Sequence, residues 1–118
     1  MWLNHCELIL YKEEFTNNVK ELLNCSVIVE KFVYILHDKD GVAPHYHIYI
    51  KFGSYKPSIK CVAELFRINE LQVEKIKGRI SDLLRFFLHA GEIQQNKHQY
   101  SMSELVANFD FKELIKKN

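Results

Sequence analysis

Two strand-forming runs separated by a short polar turn constrain the fold of this chain more than any other feature. Residues 26–36 form a long β-branched and aromatic run, and residues 45–52 form a second run of the same kind. Both compositions favour β-strands. The residues between them, 38–44, contain Asp-Gly and Pro, which favour a turn. The sequence therefore predicts an antiparallel β-hairpin at the centre of the fold.

The predicted hairpin carries a group of side chains that suit a divalent cation. His45 and His47 are two positions apart on one strand, so both point to the same face. His37 ends the preceding run and Asp40 lies in the turn. Antiparallel neighbours lie about 5 Å apart, so we expect these groups to converge. Three imidazoles and a carboxylate suit Mn²⁺, Mg²⁺ or another divalent ion that polarises a phosphate oxygen. The alternative is that the histidines are only polar residues on an exposed strand face.

The flanking segments predict further strands and helices around the hairpin. We expect strands at residues 2–11 and 71–77, helices at 13–23, 56–67 and 80–90, a helix stop at Gly91, a loop or short edge strand at 96–100, a helical turn from residue 103, and a C-terminal helix at 109–117. This order fits an α+β fold with an antiparallel five-stranded sheet, ferredoxin-like in arrangement, with its helices on one face. At 118 residues, the chain is long enough for a single domain, 1–118.

The composition places the chain among compact proteins without a membrane segment. It is 47% hydrophobic and 26% charged, which is unlike a disordered tail. No apolar run approaches the roughly 18 residues needed to cross a bilayer, and early charges such as Glu7 and Lys12 leave no signal-peptide pattern. Cys6, Cys25 and Cys61 are widely spaced and lack a CxxC pair, so we expect free thiols in the cytoplasm and no zinc site built from them.

Basic residues and aromatic rings alternate after the histidine pair, although the net charge is only +1. Such interleaving suits a single nucleic-acid strand, because cations bind phosphates and ring faces stack on bases. The candidate phosphate contacts are Lys51, Lys56, Lys77, Arg79 and Arg85. The alternative interpretation is a solvated basic face over an aromatic core.

Five short motifs, in this order, resemble those of the HUH endonucleases, and more narrowly the small Rep initiators of bacterial rolling-circle plasmids. The motifs are residues 36–40, 44–47, 87–89, 97–100 and 108–110. The resemblance implies the HUH Rep nuclease form of the sheet described above. It also implies that His37, Asp40, His45 and His47 hold Mn²⁺ or Mg²⁺, with Asp38 outside the ligand set.

The resemblance also places a nucleophilic tyrosine on a helix, three residues before a histidine. His89 is that histidine here, and the tyrosine position holds Phe86. A phenyl ring has no hydroxyl, so it cannot attack phosphorus. The helix already has an apolar stripe without Phe86, which predicts that this ring faces elsewhere. Either the tyrosine was deliberately replaced or the chain is a natural relative that does not cleave. His89 is a candidate DNA contact, or else a packed or capping histidine, and Tyr100 is a weaker candidate for a substitute nucleophile.

The activity implied by the resemblance is metal-dependent nicking and joining of single-stranded DNA through a 5′-phosphotyrosine, which initiates rolling-circle replication of a plasmid. The implied partner is single-stranded or hairpin origin DNA, and the domain is expected to join an oligomer only as part of a longer protein. With Phe86 the chain itself is expected to be inactive in cleavage. The alternatives are a non-catalytic, metal-supported single-stranded DNA-binding module and a structural metal protein unrelated to DNA.

Overall fold

The computed structural model of the chain describes residues 2–90 and 97–116 and contains one five-stranded sheet. The strands are β1 (His5–Tyr11), β2 (Val29–His37), β3 (His45–Phe52), β4 (Val73–Glu74) and β5 (Val106–Ala107), in the order β4-β1-β3-β2-β5. The α-helices are α1 (Asn17–Leu23), α2 (Ile59–Phe66), α3 (Ile80–Leu88) and α4 (Lys112–Lys116). All neighbouring strands are antiparallel. The predicted α+β class and the antiparallel five-stranded sheet are confirmed.

The central hairpin forms as the sequence predicts. β2 and β3 pair along their length, and the register places His37 opposite His45 and Ile35 opposite His47. β1 pairs with the other side of β3, so β1 and β2 run parallel with β3 between them. This is the split β-α-β arrangement, with α1 as the connection from β1 to β2.

The helices cover both faces of the sheet, so the expectation that they lie on one face is wrong. One core combines even-numbered strand residues such as Leu8 and Ile48 with Val19 of α1 and Val62 of α2. The second core combines odd-numbered strand residues with residues of α3 and α4, among them Ile35, Phe87 and Leu114. The physical reason is that β2 and β3 are apolar at both odd and even positions, so each face must be covered.

The edges of the sheet differ from the predicted segments. β4 has only two residues: a 3₁₀ turn at Glu70–Gln72 replaces the start of the predicted strand, and residues 75–77 are not paired with β1. β5 forms where the sequence predicts a continuing helical turn, after a 3₁₀ turn at Met102–Glu104. α3 ends at Leu88, with His89 in the left-handed conformation as its C-cap. The other predicted boundaries at Gly91, Asn96 and Lys117 lie outside the described residues.

The described residues bear on two expectations from composition, the membrane segment and the cysteines. None of the helices there is long and apolar enough to cross a membrane. The three cysteines are free, and Cys6 is fully buried on β1. Burial, reinforced by the neighbouring Glu7 carboxylate, raises the pKa of the Cys6 thiol to about 12. This thiol is therefore a packing group and not a nucleophile.

Candidate metal centre

Three imidazoles meet at one end of the central hairpin. The ring of His37 lies 5.4 Å from that of His45 and 4.6 Å from that of His47, measured between centroids, and the rings of His45 and His47 lie 5.0 Å apart. One ring nitrogen from each of the three lies within 4.8 Å of the others. The predicted convergence of these histidines is therefore present.

Hydrogen bonds fix which nitrogen of each ring carries the proton. Nε2 of His37 donates to the carbonyl oxygen of Phe87 at 2.6 Å, and Nδ1 of His45 donates to the carbonyl oxygen of Ala43 at 3.0 Å. Nδ1 of His47 donates to the Glu7 carboxylate at 2.6 Å. Because a carbonyl or carboxylate oxygen can only accept, the other nitrogen of each ring is the one that can bind a cation. Outer acceptors that orient the rings in this way are typical of histidines that bind metals.

His37 shows most directly that this end of the hairpin suits a cation. Its side chain is 1% exposed, and its Nδ1 is a buried nitrogen without a hydrogen-bond partner among the described residues. Burial lowers the pKa of His37 to about 4, with His47 and His89 adding to the shift, so the ring is neutral near pH 7. Its lone pair then faces Oδ2 of Asp40 at 3.2 Å. Two acceptors so close together are stabilised when a cation lies between them.

Asp40 is held in the ionised state by its surroundings. Its burial opposes ionisation, but the Tyr100 hydroxyl donates to Oδ1 at 2.7 Å, and His37 and His89 lie close by. The result is a pKa of Asp40 below its ordinary value. The Tyr100 hydroxyl also accepts a hydrogen bond from the backbone N–H of Lys39 at 3.0 Å. Oδ1 is thus engaged by Tyr100, while Oδ2 faces the imidazoles.

Tyr100 supports the site and is a poor nucleophile. Its ring stacks on that of His37 at 4.6 Å, with an angle of 9° between the planes. Burial, together with the hydrogen bond to Asp40, raises the pKa of Tyr100 to about 12. A hydroxyl that is protonated near pH 7 and already bonded to a carboxylate is not available to attack phosphorus.

His89 lies in the wall of the same cavity, with only 3% of its side chain exposed. Its Nδ1 donates to the carbonyl oxygen of His98 at 2.9 Å, and its Nε2 lies 3.8 Å from Oδ2 of Asp40. His37, Asp40 and His89 form a second group with metal-ligand spacing, and it shares His37 with the first. The predicted contact of His89 with DNA stays a prediction, and the geometry adds the role of a candidate ligand.

Phe86 lies at the mouth of the cavity. The cavity has a volume of about 650 Å³, and its lining includes five histidines, Asp40 and Phe86. The Phe86 ring is 43% exposed, whereas Phe87 is fully buried, as the apolar stripe predicts. The Phe86 centroid lies 5.8 Å from that of His47 and 6.5 Å from that of His89. The predicted nucleophile position thus faces the imidazoles.

The five candidate phosphate contacts are divided among three places. Lys77 and Arg79 line a groove that reaches Phe86. Arg85 contacts Asp82 of its own helix and the backbone carbonyl of residue 115, so it ties α3 to α4. The other two lie toward the opposite end of β3, where Lys51 forms an ion pair with Glu30 at 3.1 Å and Lys56 donates to the carbonyl oxygen of Phe52. Their contacts with DNA stay predictions.

Sequence reasoning missed the supports of the ligand set. Glu7 lies on β1, diagonal to His47 in the sheet, and Tyr100 lies 60 positions from Asp40. The alternation of β1 could have placed Glu7 on the odd-numbered face. Only the register of β1 against β3, which the sequence does not give, brings Glu7 next to His47.

Two comparisons with known proteins place this chain among similar sequences. The family described as "Plasmid replication protein, origin binding domain" matches residues 4–112. A "Replication protein" of Onion yellows phytoplasma (strain OY-M) is 36% identical over an alignment of 131 positions. The alignment covers 95% of this chain and 34% of that protein, so the chain spans about a third of the length of this relative.

Proposed function

The chain belongs to the family of plasmid replication protein origin-binding domains, and from this premise we propose that residues 1–118 act as the single-domain, HUH-type nuclease part of an initiator of plasmid rolling-circle replication. Its partner is single-stranded or hairpin origin DNA. The observation that carries the proposal is the unpaired, buried Nδ1 of His37 opposite Asp40, beside two further imidazoles whose protons are turned outward.

The residues that would hold the cation are His37, Asp40, His45 and His47. Donor atoms bound at about 2.1 Å to one ion lie about 3–4 Å apart, and the 3.2 Å between His37 and Asp40 falls in this range. Since Mg²⁺ prefers oxygen ligands and keeps several waters, a set with three nitrogens favours Mn²⁺ over Mg²⁺.

A bound divalent cation would withdraw charge from a non-bridging oxygen of the target phosphate. The chain's own residues orient and surround that phosphate. Glu7 and the backbone carbonyls of Phe87 and Ala43 fix the imidazoles by accepting hydrogen bonds from their N–H groups. Lys77 and Arg79 line the groove that leads to Phe86, where they would contact neighbouring phosphates.

Position 86 decides whether a strand is cut. A tyrosine there would carry a hydroxyl at the mouth of the cavity. Its oxygen would form a bond to phosphorus while the bond from phosphorus to the 3′ oxygen breaks, and the phenolic proton would end on that 3′ oxygen. The products are a 5′-phosphotyrosine and a free 3′-hydroxyl that primes synthesis. With Phe86 no such bond can form.

The missing hydroxyl favours a second candidate function for the chain as it stands. A domain with an intact ligand set but a phenyl ring at position 86 is a metal-supported single-stranded DNA-binding module. It occupies the same DNA without cutting it.

A cleavage assay separates the two candidates. The chain and its Phe86→Tyr variant are incubated with Mn²⁺ and a labelled single-stranded oligonucleotide that carries the plasmid origin. We expect nicking and a covalent protein–DNA adduct with Phe86→Tyr alone. The matched control is the Phe86→Tyr, His47→Ala double variant, which keeps the hydroxyl and loses a ligand. If Phe86→Tyr binds the oligonucleotide without cutting it, the module is the better description.

Calorimetry tests the ligand set independently of DNA. His45→Ala combined with His47→Ala removes two of the four proposed ligands, and we expect it to abolish Mn²⁺ binding while the circular dichroism spectrum is retained. The same double variant is expected not to bind Mg²⁺. An unchanged Mn²⁺ affinity would contradict the proposed ligands.

A further inference from the structure

A second groove adjoins the cavity that the imidazoles line, which we call the imidazole cavity. The groove lies on the far side of His45. Its volume is about 570 Å³, and its lining includes Tyr11, Glu14, Val42, Leu71 and Gln72. His45 and Val42 line both this groove and the imidazole cavity. A strand with one phosphate at the imidazoles therefore has this groove directly beside it.

The position of Tyr11 follows from the register of the sheet. Tyr11 is paired with His45, and His45 is paired with His37, so the three side chains form one row on the odd-numbered face. Side chains opposite each other on antiparallel strands lie about 5 Å apart. The aromatic ring of Tyr11 is thus the next side chain after the proposed ligands in that row.

Large apolar side chains of this groove remain in contact with solvent. Tyr11 is 55% exposed, Val42 is 64% exposed and Leu71 is 88% exposed. A single exposed apolar residue needs no explanation, but several along one concave surface mark a place where an apolar ligand face binds.

The charge of the groove argues against a phosphate as its occupant. Among the residues that the structure describes, its lining has no lysine or arginine, and its one carboxylate is Glu14. Oε1 of Glu14 accepts hydrogen bonds from the Tyr11 backbone N–H at 2.8 Å and from Gln72 at 2.9 Å. A planar, uncharged group that donates hydrogen bonds fits these surroundings, whereas an anion does not.

We propose that this groove binds an unpaired nucleobase next to the phosphate at the imidazoles, an inference that rests on the proposed function. The base stacks on Tyr11 and contacts Leu71. Glu14 accepts a hydrogen bond from an exocyclic amino group, which cytosine and adenine carry and thymine lacks. The groove therefore selects for cytosine or adenine over thymine at that position.

Fluorescence anisotropy with labelled dC, dA and dT oligonucleotides of about 12 nucleotides, in Mn²⁺, tests this inference. Stacking on one aromatic ring corresponds to an affinity change of about 5- to 150-fold. We expect Tyr11→Ala to weaken binding of all three oligonucleotides by this factor and Tyr11→Phe to leave it unchanged. Glu14→Gln, which keeps an amide oxygen for the Tyr11 N–H, should reduce the preference for dC and dA over dT. Trp2→Ala is the matched control, because Trp2 is 74% exposed and lies outside the groove.

The outcomes distinguish failure of the nucleobase groove from failure of the proposed function. Wild-type affinities in Tyr11→Ala, together with an unchanged base preference in Glu14→Gln, would overturn the nucleobase groove and leave the proposed function standing. Failure of the unmodified chain to bind any of the oligonucleotides or the origin strand would overturn both.

Discussion

The orientation of His47 depends on the carboxylate of Glu7. Both side chains are buried, and the 2.6 Å bond between them leaves the other imidazole nitrogen directed at the cavity. A carboxylate in this position also makes the imidazole a stronger ligand. Glu7 is therefore a positioning residue, since it acts on a metal or a strand only through His47.

Replacement of Glu7 by glutamine tests this role. Glu7→Gln keeps the size and an acceptor oxygen but removes the charge, and we expect Mn²⁺ affinity to fall about 10- to 100-fold. Calorimetry measures the change. Glu21→Gln, an exposed change on α1 on the opposite face of the sheet, should have no effect. Equal affinities for Glu7→Gln and Glu21→Gln would contradict the positioning role.

The depressed pKa of His37 predicts how the metal-free protein responds to acid. His37 titrates near 6.5 when unfolded and at about 4 when folded, so between these values the unfolded state binds more protons. The free energy of unfolding is therefore complete above about pH 6.5 and falls by up to about 3 kcal/mol as the pH is lowered to about 4. Asp40, whose pKa is also lowered, contributes with the same sign at lower pH.

Urea unfolding in the presence of a chelator, repeated across this range, measures the loss. His37→Gln should show a shallower dependence on pH, because glutamine does not titrate. A metal-free wild-type protein that is equally stable at both ends of the range would show that His37 is not held neutral by burial.

At the scale of the element, α2 and α3 end in the same backbone conformation, but their last residues have different surroundings. Both have a non-glycine C-cap in the left-handed conformation: Arg67 has φ 59° and His89 has φ 58°. Arg67 is exposed after α2, whereas His89 is buried against Asp40 and His98. Neither cap follows from the sequence, because a helix stop is usually read from glycine. At His89 the side chain's place in the cavity outweighs the backbone preference.

Replacing each cap residue by glycine tests how much its side chain contributes to the stability of the fold. Arg67→Gly relieves the strained backbone, and we expect a gain of about 0.5–1 kcal/mol after the added entropy of the unfolded chain is subtracted. His89→Gly has the same relief but loses the bond to the His98 carbonyl and leaves Asp40 with fewer partners, so we expect no gain. Thermal unfolding of both variants measures the difference. Equal gains would mean that the His89 side chain contributes nothing to the fold.

At the scale of the whole molecule, the two faces of the sheet differ in what they carry. The even-numbered face forms a core with α1 and α2, and the odd-numbered face carries the imidazoles, α3 and α4. The central hairpin and the convergence of its three histidines follow from strand alternation, and these were predictable. The coverage of both faces, the two-residue edge strands and the contacts of Glu7 and Tyr100 depend on register and on pairings far apart in the chain. Local patterns do not contain that information.

The salt dependence of DNA binding reports how far a strand extends over this surface. For single strands the slope of log K against log salt is about −0.7 per phosphate contact. We expect Lys77→Ala with Arg79→Ala, both beside Phe86, to make the slope shallower by about 1.4. An unchanged slope would remove these residues from the binding surface.

The same measurement on Lys51→Ala with Lys56→Ala tests whether the bound strand extends to the other end of β3. We expect the same change in slope, since both are proposed phosphate contacts. A slope equal to that of the unmodified chain would confine the strand to the histidine end of the hairpin.

The bond from His37 to the Phe87 carbonyl has a consequence for how such a domain diverges. The oxygen that orients His37 belongs to the main chain of α3, so it is present whichever side chain occupies the preceding position. One phenolic oxygen can be gained or lost at residue 86 while the ligand set is preserved. Under the proposed function, cutting a strand and binding a strand are therefore properties that can be inherited separately.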